Sequence, residues 1–531
     1  MKTKMKNMGT TIRSLTRKLL HIDKIKMENR RLKILQVAPE LAPYAKVGGL
    51  ADVAGAITKE MSRCGHDVKT LCPKYGILDA EKEGWEKLPE AFGVHLGWGR
   101  SEYTQLWKTT YPGSKAEVYF IEFNEYFGGG IYDGGASNPE RFTFLCRAAI
   151  DFCHAFQWWP DVIHCHDWGV GLLPVFLNTT EAQTPLHHAA SVFTIHNLQH
   201  QGRAGRELLD FAGLPQSLYT PDNLEHQGAV NMMKAALYHS TKLTTVSPHY
   251  SREIQGPDYG CGLDGVLRYR SGDLIGILNG IDTDAWNPAT DPFIPANFSA
   301  DNMAGKDKCK QALQESFGLE QDPEIPIFGA VARLFDQKGL DLFAEIIPGL
   351  MNDMKLQVVL LGSGDPGVEG WFNELAARYP GRVGVYIGYN NERSHLIEAG
   401  SDFFVMPSRF EPCGLNQMYS MAYGTLPIVR ETGGLVDSVK QYVPGRGEGT
   451  GFRFHESSAH ALYYTIGWAN ATWWDHRDEI HKLRHNAMTQ DLGWEQSAAK
   501  YEEVFQWAVQ TRLRGLGLAS GLTLTPWKTP V

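Results

Sequence analysis

The 531-residue sequence predicts an α/β protein of two doubly wound, Rossmann-like domains that face a central cleft. Short apolar runs rich in Val, Ile, Leu and Phe recur along the chain, and each ends at Gly, Pro, Asn, Asp or Ser. Helix-like patterns separate these runs, which is typical of parallel sheets covered by helices on both faces. The series stops at a polar stretch near 288–324 and then restarts, so we expect two domains.

Each apolar run is predicted as one buried strand, and each amphipathic stretch as a helix. The predicted strands of the first series are 32–38, 68–73, 116–123, 162–166, 190–196, 242–246 and 274–278. Those of the second series are 325–332, 357–361, 383–387, 403–406 and 426–429. The predicted helices include 52–63, 138–156, 228–240, 340–354 and a last amphipathic helix at 494–510.

These elements predict the domain boundaries. We expect a basic, disordered leader at 1–31, an N-terminal domain on the acceptor side at 32–290 and a linker at 291–322. A C-terminal domain on the nucleotide-sugar side follows at 323–490. A helix at 491–514 is expected to cross back to the first domain, and 515–531 form a tail.

Composition excludes several classes of protein. Hydrophobic residues make up 43% and charged residues 21%, as in ordinary globular domains, which argues against a disordered or coiled-coil chain. No run of about 18 apolar residues is free of charge, so we expect no membrane-spanning helix. The net charge of −9 argues against a nucleic-acid partner, since no basic excess exists to neutralise phosphates. No pattern in the sequence indicates an oligomeric state.

The first 33 residues carry 11 Lys and Arg against two acids, a balance of +9. They lack the apolar core of a secretory signal, so a disordered arm or an over-long start before Met27 is expected. A transit peptide is the alternative reading of this leader, and it would place the protein in a plastid. The eight cysteines form no CxxC pair, which favours free thiols in a reducing compartment and hence the cytoplasm.

Polar residues cluster where the predicted strands end. In open α/β sheets, ligands bind at the carboxyl ends of the strands, because loops and helix N-termini converge there. If both domains turn these ends toward one cleft, the polar residues form a single site at the domain interface. The polar segments are 46–49, 166–168, 196–197, 247–249, 279–282, 333–339, 362–365, 411–415 and 432–434.

Two glycine-rich loops have the composition of phosphate-binding loops. Lys46 precedes Gly48 and Gly49 at a predicted helix start, where free N–H groups and a cation attract an anion. A tight helix-entry turn explains these residues equally well. The loop 362–367 suggests a dinucleotide fingerprint, but its spacing is wrong and Pro366 interrupts it, so NAD is not expected.

The second series supplies a stronger candidate for a phosphate site. Arg333 and Lys338 lie between a strand and a helix, and two cations at a helix start suit a diphosphate. The alternative is a surface pair bound to Asp336. Thr432 and Gly433 precede another predicted helix and offer further donors to the same phosphates.

Three other features can also be explained by ordinary structural roles. His164 and His166 share one face of a strand, but no further converging ligands are evident, so we expect no metal site. His196 follows a predicted strand, where a strand-end cap explains it. Glu411 sits between prolines at a strand-end turn, where it accepts sugar hydroxyls or caps a helix beside Arg409.

Together these segments resemble the bacterial glycogen synthase and plant starch synthase family, retaining glucosyltransferases of the GT-B fold. The resemblance covers about residues 32–510. In related retaining transferases a second Glu follows the first by eight residues. Here the pair is Glu411 and Tyr419, which fits the glycogen and starch synthase branch better than the sucrose or trehalose branches. The matching stretches are 46–53, 164–168, 194–197, 279–282, 333–340, 408–415 and 423–435.

The resemblance implies transfer of glucose from ADP-glucose to the non-reducing 4-OH of an α-1,4-glucan, with no metal or other cofactor. By motif match, Arg333 and Lys338 are expected to hold the diphosphate. Glu411 is expected to face the donor sugar, and Asp167 the acceptor. His196 completes the expected catalytic set. The other expected donor contacts are Lys46, Gly48, Gly49, Asn197, Asn279, Tyr389 (beside the adenine), Cys413, Gly414, Leu415, Thr432 and Gly433.

The expected reaction has a physical logic. Breaking the anomeric C–O bond creates an oxocarbenium-like carbon and a diphosphate that gains negative charge, which fixed cations in a water-poor cleft stabilise. Two alternatives remain open from the sequence: a GT-B transferase that uses UDP-glucose, and a catalytically silent glucan-binding protein. The second is disfavoured because a binding module needs no diphosphate clamp.

Overall fold

The computed structural model describes residues 30–518 of the chain. It contains two large sheets, one built from residues 33–276 and the other from residues 327–454. The predicted tail beyond 518 and nearly all of the predicted leader lie outside the described residues. Arg30, at the edge of that leader, donates to the carboxylate of Asp161 at 2.8 Å.

The first sheet has ten strands, most of them parallel and buried. In order across the sheet they are β13-β12-β8-β7-β1-β2-β6-β5-β3, and β4 pairs with β5. The strands from 33 to 276 are β1 Lys33–Val37, β2 Asp67–Pro73, β3 Glu86–Lys87, β4 Phe92–His95, β5 Ser101–Thr110, β6 Glu117–Glu122, β7 Val162–His166, β8 Ala190–Ile195, β9 Arg203–Ala204, β10 Glu225–His226, β11 Ala229–Asn231, β12 Lys242–Thr245 and β13 Leu274–Gly276.

Helices cover both faces of this sheet. They are α1 Gly49–Arg63, α2 Asn124–Phe127, α3 Asn138–Ala155, α4 Leu173–Asn178, α5 Glu207–Ala212, α6 Met232–His239, α7 Pro248–Glu253 and α8 Asp264–Tyr269. A separate antiparallel sheet of three short strands has the order β10-β11-β9, with β9 before α5 in the chain and β10 and β11 between α5 and α6. Several long apolar side chains of α3, among them Phe142, Phe144 and Phe152, are fully buried.

The second sheet has six parallel strands in the order β16-β15-β14-β17-β18-β19. They are β14 Ile327–Leu334, β15 Gln357–Gly364, β16 Val383–Ile387, β17 Phe403–Met406, β18 Leu426–Arg430 and β19 Phe452–Phe454. The helices from residue 304 onward are α9 Ala304–Ser316, α10 Leu340–Asp353, α11 Pro366–Arg378, α12 Asn391–Gly400, α13 Asn416–Ala422, α14 Gly433–Ser438, α15 Ala459–Asp475, α16 Arg477–Met488 and α17 Glu495–Gly515.

The last helix, α17, returns to the first domain, as expected. Trp494, Tyr501 and Phe505 pack in one apolar cluster with residues of β1, α1 and β8. The hydroxyl of Ser497 donates to the backbone oxygen of Leu278. The helix runs to Gly515, five residues beyond the amphipathic stretch 494–510 and one beyond the predicted boundary at 514. Together with the two parallel arrays, this helix confirms the predicted architecture.

Several elements differ from the sequence prediction. The strand β5 and the small sheet β9–β11 were not predicted. The predicted helix 228–240 is wrong in its first turn: residues Ala229–Asn231 form β11, and the helix α6 begins at Met232. Asn231 caps it, because its side-chain oxygen accepts from Lys234 N at 2.9 Å. The predicted linker contains the helix α9, which packs against α12. Among the described helices, none is long and apolar enough to cross a membrane.

Candidate active site

A cavity of about 870 Å³ lies between the carboxyl ends of the two sheets. Two sets of residues line it, one from each domain. The N-terminal wall comprises Glu40, Val47, Gly48, Gly49, Leu50, Tyr132, Asn138, Asp167, Trp168, His196, Asn197, His200, Val246 and Asn279. The C-terminal wall comprises Val331, Ala332, Arg333, Gln337, Lys338, Leu340, Leu361, Gly362, Ser363, Gly388, Tyr389, Val405, Met406, Pro407, Ser408, Glu411, Pro412, Cys413, Gly414, Leu415 and Asn416.

The C-terminal wall carries two cations and one carboxylate. Lys338 Nζ donates to Glu411 Oε2 at 2.5 Å, and Ser408 Oγ donates to the same oxygen at 3.1 Å. Arg333 is exposed, and no ion pair joins it to any residue between 30 and 518. A guanidinium free in a cavity, beside an ammonium already ordered by a carboxylate, is an arrangement suited to an incoming anion.

Local backbone structure explains where the two cations sit. Arg333 was expected after its strand, but it belongs to β14, one residue before the strand ends. Lys338 ends a single 3-10 turn, and Gly339 follows with φ +63°. Any side chain at Gly339 would collide with the backbone oxygen of Pro407, so this close crossing needs a glycine.

The surface-pair alternatives for these residues are not found. Asp336 lies 3.3 Å from Arg409 rather than beside Arg333 or Lys338. Arg409 also makes a bidentate pair with Asp341, at 2.7 and 2.6 Å. Glu411 therefore does not pair with Arg409, and its partner is the cavity lysine.

The loop that carries Glu411 is supported from behind by Gly433 and Gly434. Gly434 N donates to the backbone oxygen of Glu411 at 3.1 Å. A Cβ at Gly433 would collide with that same oxygen, and a Cβ at Gly434 would collide with the backbone oxygen of Cys413. The two glycines thus allow two loops to touch, and this contact fixes the position of the Glu411 turn.

The N-terminal wall contains buried ionisable groups that stay uncharged. Burial lowers the pKa of His196 to about 3. Burial raises the pKa of Asp167 to about 8, although N–H groups of Trp168 and Asn197 oppose the shift. Asp167 also has φ +63° and ψ 179°, a conformation costly for any residue except glycine. Strain of this kind is characteristic of functional sites.

Amide side chains complete this wall. Asn279 is 6% exposed, and within residues 30–518 its side-chain oxygen has no hydrogen-bond partner. Asn197 Oδ1 accepts from Gln199 N at 3.1 Å. A buried acceptor without a partner beside a cavity is costly unless a ligand supplies the missing donor. A polyhydroxylated ligand would do so.

The loop at 46–50 is held by a carboxylate that the sequence pattern did not single out. Glu40 accepts from Val47 N at 2.7 Å and Gly48 N at 3.0 Å. Its other oxygen accepts from the hydroxyl of Tyr132 at 2.7 Å. The N–H of Gly48 is therefore already engaged, whereas Gly49 packs toward Leu415 of the opposite wall.

Most of the chain is similar to known proteins. Residues 33–269 match the starch synthase catalytic domain, and residues 312–482 match the glycosyl transferases of group 1. Glycogen synthase 1 of Geobacter sulfurreducens is 47% identical over 92% of this chain and 98% of its own length. Glycogen synthase of Treponema denticola is 45% identical over 91% of this chain and 99% of its own length.

The chain belongs to the glycogen and starch synthase family. It is therefore a glycosyltransferase. Among solved structures, the catalytic domain of starch synthase IV from Arabidopsis thaliana, bound to ADP and acarbose, is 34% identical with a TM-score of 0.84. It covers 90% of this chain and 100% of its own. Sucrose-phosphate synthase from Thermosynechococcus elongatus, 17% identical with a TM-score of 0.57, shares the fold. The family and the GT-B fold predicted from the motifs are thus confirmed.

Three of the residues expected from family motifs do not line the cavity. Lys46 instead pairs with Asp52 at 2.7 Å on the surface. Thr432 Oγ1 and Gly433 N donate to the carboxylate of Glu253, on α7 of the other domain, at 2.9 and 3.0 Å. The other thirteen lie on the two walls: Gly48, Gly49, Asp167, His196, Asn197, Asn279, Arg333, Lys338, Tyr389, Glu411, Cys413, Gly414 and Leu415.

Two residues that follow Glu411 closely in the chain also have definite positions. Tyr419, which stands where related transferases carry a second Glu, is buried and stacks on Trp286 with ring centroids 3.8 Å apart. Asn416 lines the cavity, and its side-chain nitrogen donates to the backbone oxygen of Val331 at 3.1 Å. Tyr389, at the cavity edge, is 80% exposed and free to stack.

The histidines considered as metal ligands are engaged with protein atoms. His164 Nε2 hydrogen-bonds Thr194 Oγ1 at 2.7 Å, and His166 Nδ1 lies 3.0 Å from His196 Nε2. Within the described range, no three side chains of His, Cys, Asp or Glu converge as a metal site. The sequence pattern missed the contact between His166 and His196, and it also missed Glu40 and Tyr132.

Proposed function

We propose that the protein transfers glucose from ADP-glucose to the 4-OH at the non-reducing end of an α-1,4-glucan, with retention of the anomeric configuration. This proposal rests on one observation. Two cations, Arg333 and Lys338, lie on one wall of the cavity, and uncharged hydrogen-bonding groups lie on the other wall. Such a cavity offers a diphosphate its countercharges and offers a sugar its hydrogen bonds, in one enclosed space.

The likeness to starch synthase IV supports the same substrates. That enzyme was solved with ADP and acarbose, a nucleotide and an oligosaccharide analogue, and it superimposes on 90% of this chain. The cavity of about 870 Å³ falls in the range typical of small-molecule sites, large enough for a nucleotide sugar. Curated relatives at 45–47% identity are glycogen synthases.

The bonds that break and form in this reaction can all be accounted for without an added cofactor. The bond between the anomeric carbon and the phosphate oxygen breaks, and a bond from that carbon to the acceptor O4 forms on the same face. The departing phosphate oxygen takes the acceptor proton. Arg333 and Lys338 stabilise the charge that the diphosphate gains as this happens. Because the chain supplies two cations for the diphosphate, we propose that no metal is required.

Other residues hold the sugar in place. Glu411, ordered by Lys338 and Ser408, lies where it can accept hydroxyls and stabilise the positive charge that develops on the sugar ring. Cys413, Gly414 and Leu415 follow it on the same wall, and Tyr389 is available to the adenine. Asp167 is assigned to the acceptor side.

Glucan synthesis from labelled donor tests the proposal. The purified protein is incubated with glycogen and with ADP-glucose or UDP-glucose carrying a radiolabelled glucosyl group, and precipitated glucan is counted. We expect ADP-glucose to give the higher kcat/KM, and we expect turnover to persist in EDTA. Equal or reversed donor efficiencies would remove the ADP-glucose assignment, and loss of activity in EDTA with rescue by one divalent ion would remove the metal-free mechanism.

The compartment also belongs to this proposal. The two glycogen synthases named above come from bacteria, and all eight cysteines are free thiols, six of them buried. Both observations support the cytoplasm as the site of action. The alternative of a plastid rests on the leader alone, nearly all of which lies outside the described residues.

A further inference from the structure

Two buried histidines, one from each of two neighbouring strands, are in contact at the edge of the cavity. His166 ends β7 and is fully buried, whereas His196 follows β8 and lines the cavity. His166 Nδ1 lies 3.0 Å from His196 Nε2, a hydrogen-bond distance. His196 therefore has one nitrogen toward His166 in the protein interior and the other available to the cavity.

Both imidazoles are uncharged at neutral pH. Burial lowers the pKa of His196 to about 3. Burial, together with the neighbouring His164 and His196, holds the pKa of His166 well below its usual range. Each ring consequently carries one proton. A hydrogen bond between two neutral imidazoles requires one N–H and one lone pair, so the proton position on one ring dictates the position on the other.

The surroundings of His166 decide between the two arrangements. Its Nε2 is buried and has no hydrogen-bond partner within residues 30–518. If His196 donated to His166, the proton of His166 would have to sit on this Nε2, as a buried N–H without an acceptor. Orphaned buried N–H groups are rarer in proteins than orphaned acceptors. The favoured arrangement places the His166 proton on Nδ1, where His196 Nε2 accepts it.

The position of the His166 ring is itself fixed by neighbours. His164, two residues earlier on the same strand, has its ring centroid 4.1 Å from that of His166. His164 Nε2 is held by Thr194 Oγ1 at 2.7 Å, and Thr194 in turn contacts Thr244 Oγ1 at 2.6 Å. This buried row leaves little freedom for His166 to turn away from His196.

We propose that His166 is a positioning residue that holds His196 in its Nδ1–H form, so that the cavity meets an uncharged N–H donor at this point. This inference rests on the proposed function for its kinetic consequence. In a glucosyl transfer, His196 then donates a hydrogen bond to an oxygen of the bound sugar. The opposite tautomer would present a lone pair to the same oxygen and would need the sugar hydroxyl to rotate.

Three substitutions at position 166 separate the hydrogen bond from mere packing. His166→Asn keeps a donor at the place of Nδ1 and should preserve the His196 tautomer. His166→Leu removes the donor. His166→Asp offers an acceptor in place of the donor, so it should move the His196 proton to Nε2 or charge the ring. His164→Leu is the packing control, since a leucine still fills the space beside His166 and leaves the hydrogen bond between His166 and His196 in place.

The first readout is spectroscopic and needs no substrate. In protein labelled with ¹⁵N-histidine, the ring nitrogen shifts distinguish the two tautomers, and His196→Gln assigns the His196 signals. We expect Nδ1–H in the wild type, in His166→Asn and in His164→Leu, and a reversed or charged ring in His166→Asp. A wild-type proton on Nε2, or unchanged shifts in both the Leu and Asp variants, would overturn the proposal.

The second readout is kinetic. We expect kcat/KM for the sugar donor to fall about 100-fold or more in His166→Asp, as tautomer errors at catalytic histidines do, and to stay within about fivefold of wild type in His166→Asn. The dissociation constant for ADP, which has no glucose, should stay unchanged in all variants that melt near the wild-type temperature. If kcat/KM for the donor fell only in proportion to the melting temperature, with no difference between His166→Asn and His166→Asp, His166 would have only a packing role.

The two readouts keep this inference apart from the proposed function. If the wild type transfers no glucose but shows the Nδ1–H tautomer, the proposed function fails and the role of His166 in setting the tautomer stands. If the wild type transfers glucose but its His196 shows the Nε2–H tautomer, the function stands and this inference fails.

Discussion

The two walls of the cleft are formed in the same way but differ in charge. Each consists of loops at the carboxyl ends of parallel strands. On the C-terminal wall, Arg333, Lys338 and Glu411 are ionic groups close to the solvent of the cavity. On the N-terminal wall, burial keeps His196 uncharged and raises the pKa of Asp167 to about 8.

This difference assigns a separate task to each wall. Fixed cations stabilise an anion that gains charge during the reaction, whereas neutral donors and acceptors orient hydroxyls without attracting a diphosphate. One cavity can therefore hold the two ends of a nucleotide sugar in a single orientation. The division also explains why neither domain alone should turn over.

The largest effect is expected on the charged wall. Lys338→Ala should lower kcat by about 10²–10³, because it removes a cation from the leaving diphosphate and frees Glu411 from its partner. Initial rates with labelled donor measure the change. Lys355→Ala is the control, since Lys355 also pairs with a carboxylate, that of Asp322 at 3.2 Å, but is 60% exposed and lies outside the cavity. Activity within twofold of wild type in Lys338→Ala would show that this cation is only structural.

A smaller loss is expected when the carboxylate of the charged wall becomes neutral. Glu411→Gln keeps the size of the side chain but removes the charge that stabilises an oxocarbenium-like centre, so kcat should fall on the order of tenfold or more. The dissociation constant for ADP should remain nearly unchanged. Glu324→Gln, which alters a surface pair with Arg477, is the control. A wild-type kcat would leave Glu411 as no more than a partner for Lys338.

The contact between the domains beside the site gives an effect of the opposite sign. Glu253 accepts hydrogen bonds from Thr432 Oγ1 and Gly433 N, which the family resemblance assigns to the phosphates of the donor. If that assignment is right, Glu253→Ala should tighten ADP binding about threefold to tenfold, since it removes a competing carboxylate. Asp437→Asn is the control, because Asp437 joins the domains through His249 N at 2.7 Å without touching those donors. Weaker ADP binding in Glu253→Ala would mean that the contact only holds the domains together.

The last effect concerns stability rather than rate or affinity, and it belongs to the uncharged wall. Asp167 keeps its proton up to about pH 8 when folded, whereas in the unfolded chain it ionises near pH 3.8. Raising the pH from about 5 to 8 therefore favours the unfolded chain at this residue. The free energy of unfolding of the wild type should fall relative to Asp167→Asn over that range, and the difference should be constant above about pH 8. Parallel curves for the two proteins throughout would show that Asp167 is ionised in the folded state.

The sequence was sufficient for most of the fold because buried parallel strands are continuous apolar runs. The segments 162–166, 383–387 and 403–406 coincide with β7, β16 and β17. Strand β5 was not predicted because Ser101–Thr110 mixes polar and apolar residues, which is typical of an antiparallel strand near the edge of a sheet. The helix expected at 228–240 begins only at Met232, because residues 229–231 pair in the small antiparallel sheet. The local sequence carries no signal for that pairing.

The site was predictable as far as strand ends alone define it. Arg333, Glu411 and His196 reach the cavity because the ends of their strands converge there. Lys46 and Thr432 do not line the cavity, because Lys46 pairs with Asp52 and Thr432 donates to Glu253. Glu253 is 179 residues away from Thr432 in the chain. No spacing rule reveals such a contact, and none reveals the hydrogen bond between two histidines on adjacent strands.

Titration with ADP tests the division between the two walls most directly. ADP carries the diphosphate but no glucose, so only the charged wall should bind it. Arg333→Ala should raise the dissociation constant for ADP about tenfold or more, whereas His196→Ala should leave it within about twofold of wild type. Both variants should lower kcat/KM for ADP-glucose. If His196→Ala weakens ADP binding as much as Arg333→Ala does, the two walls do not divide the substrate between them and the account is contradicted.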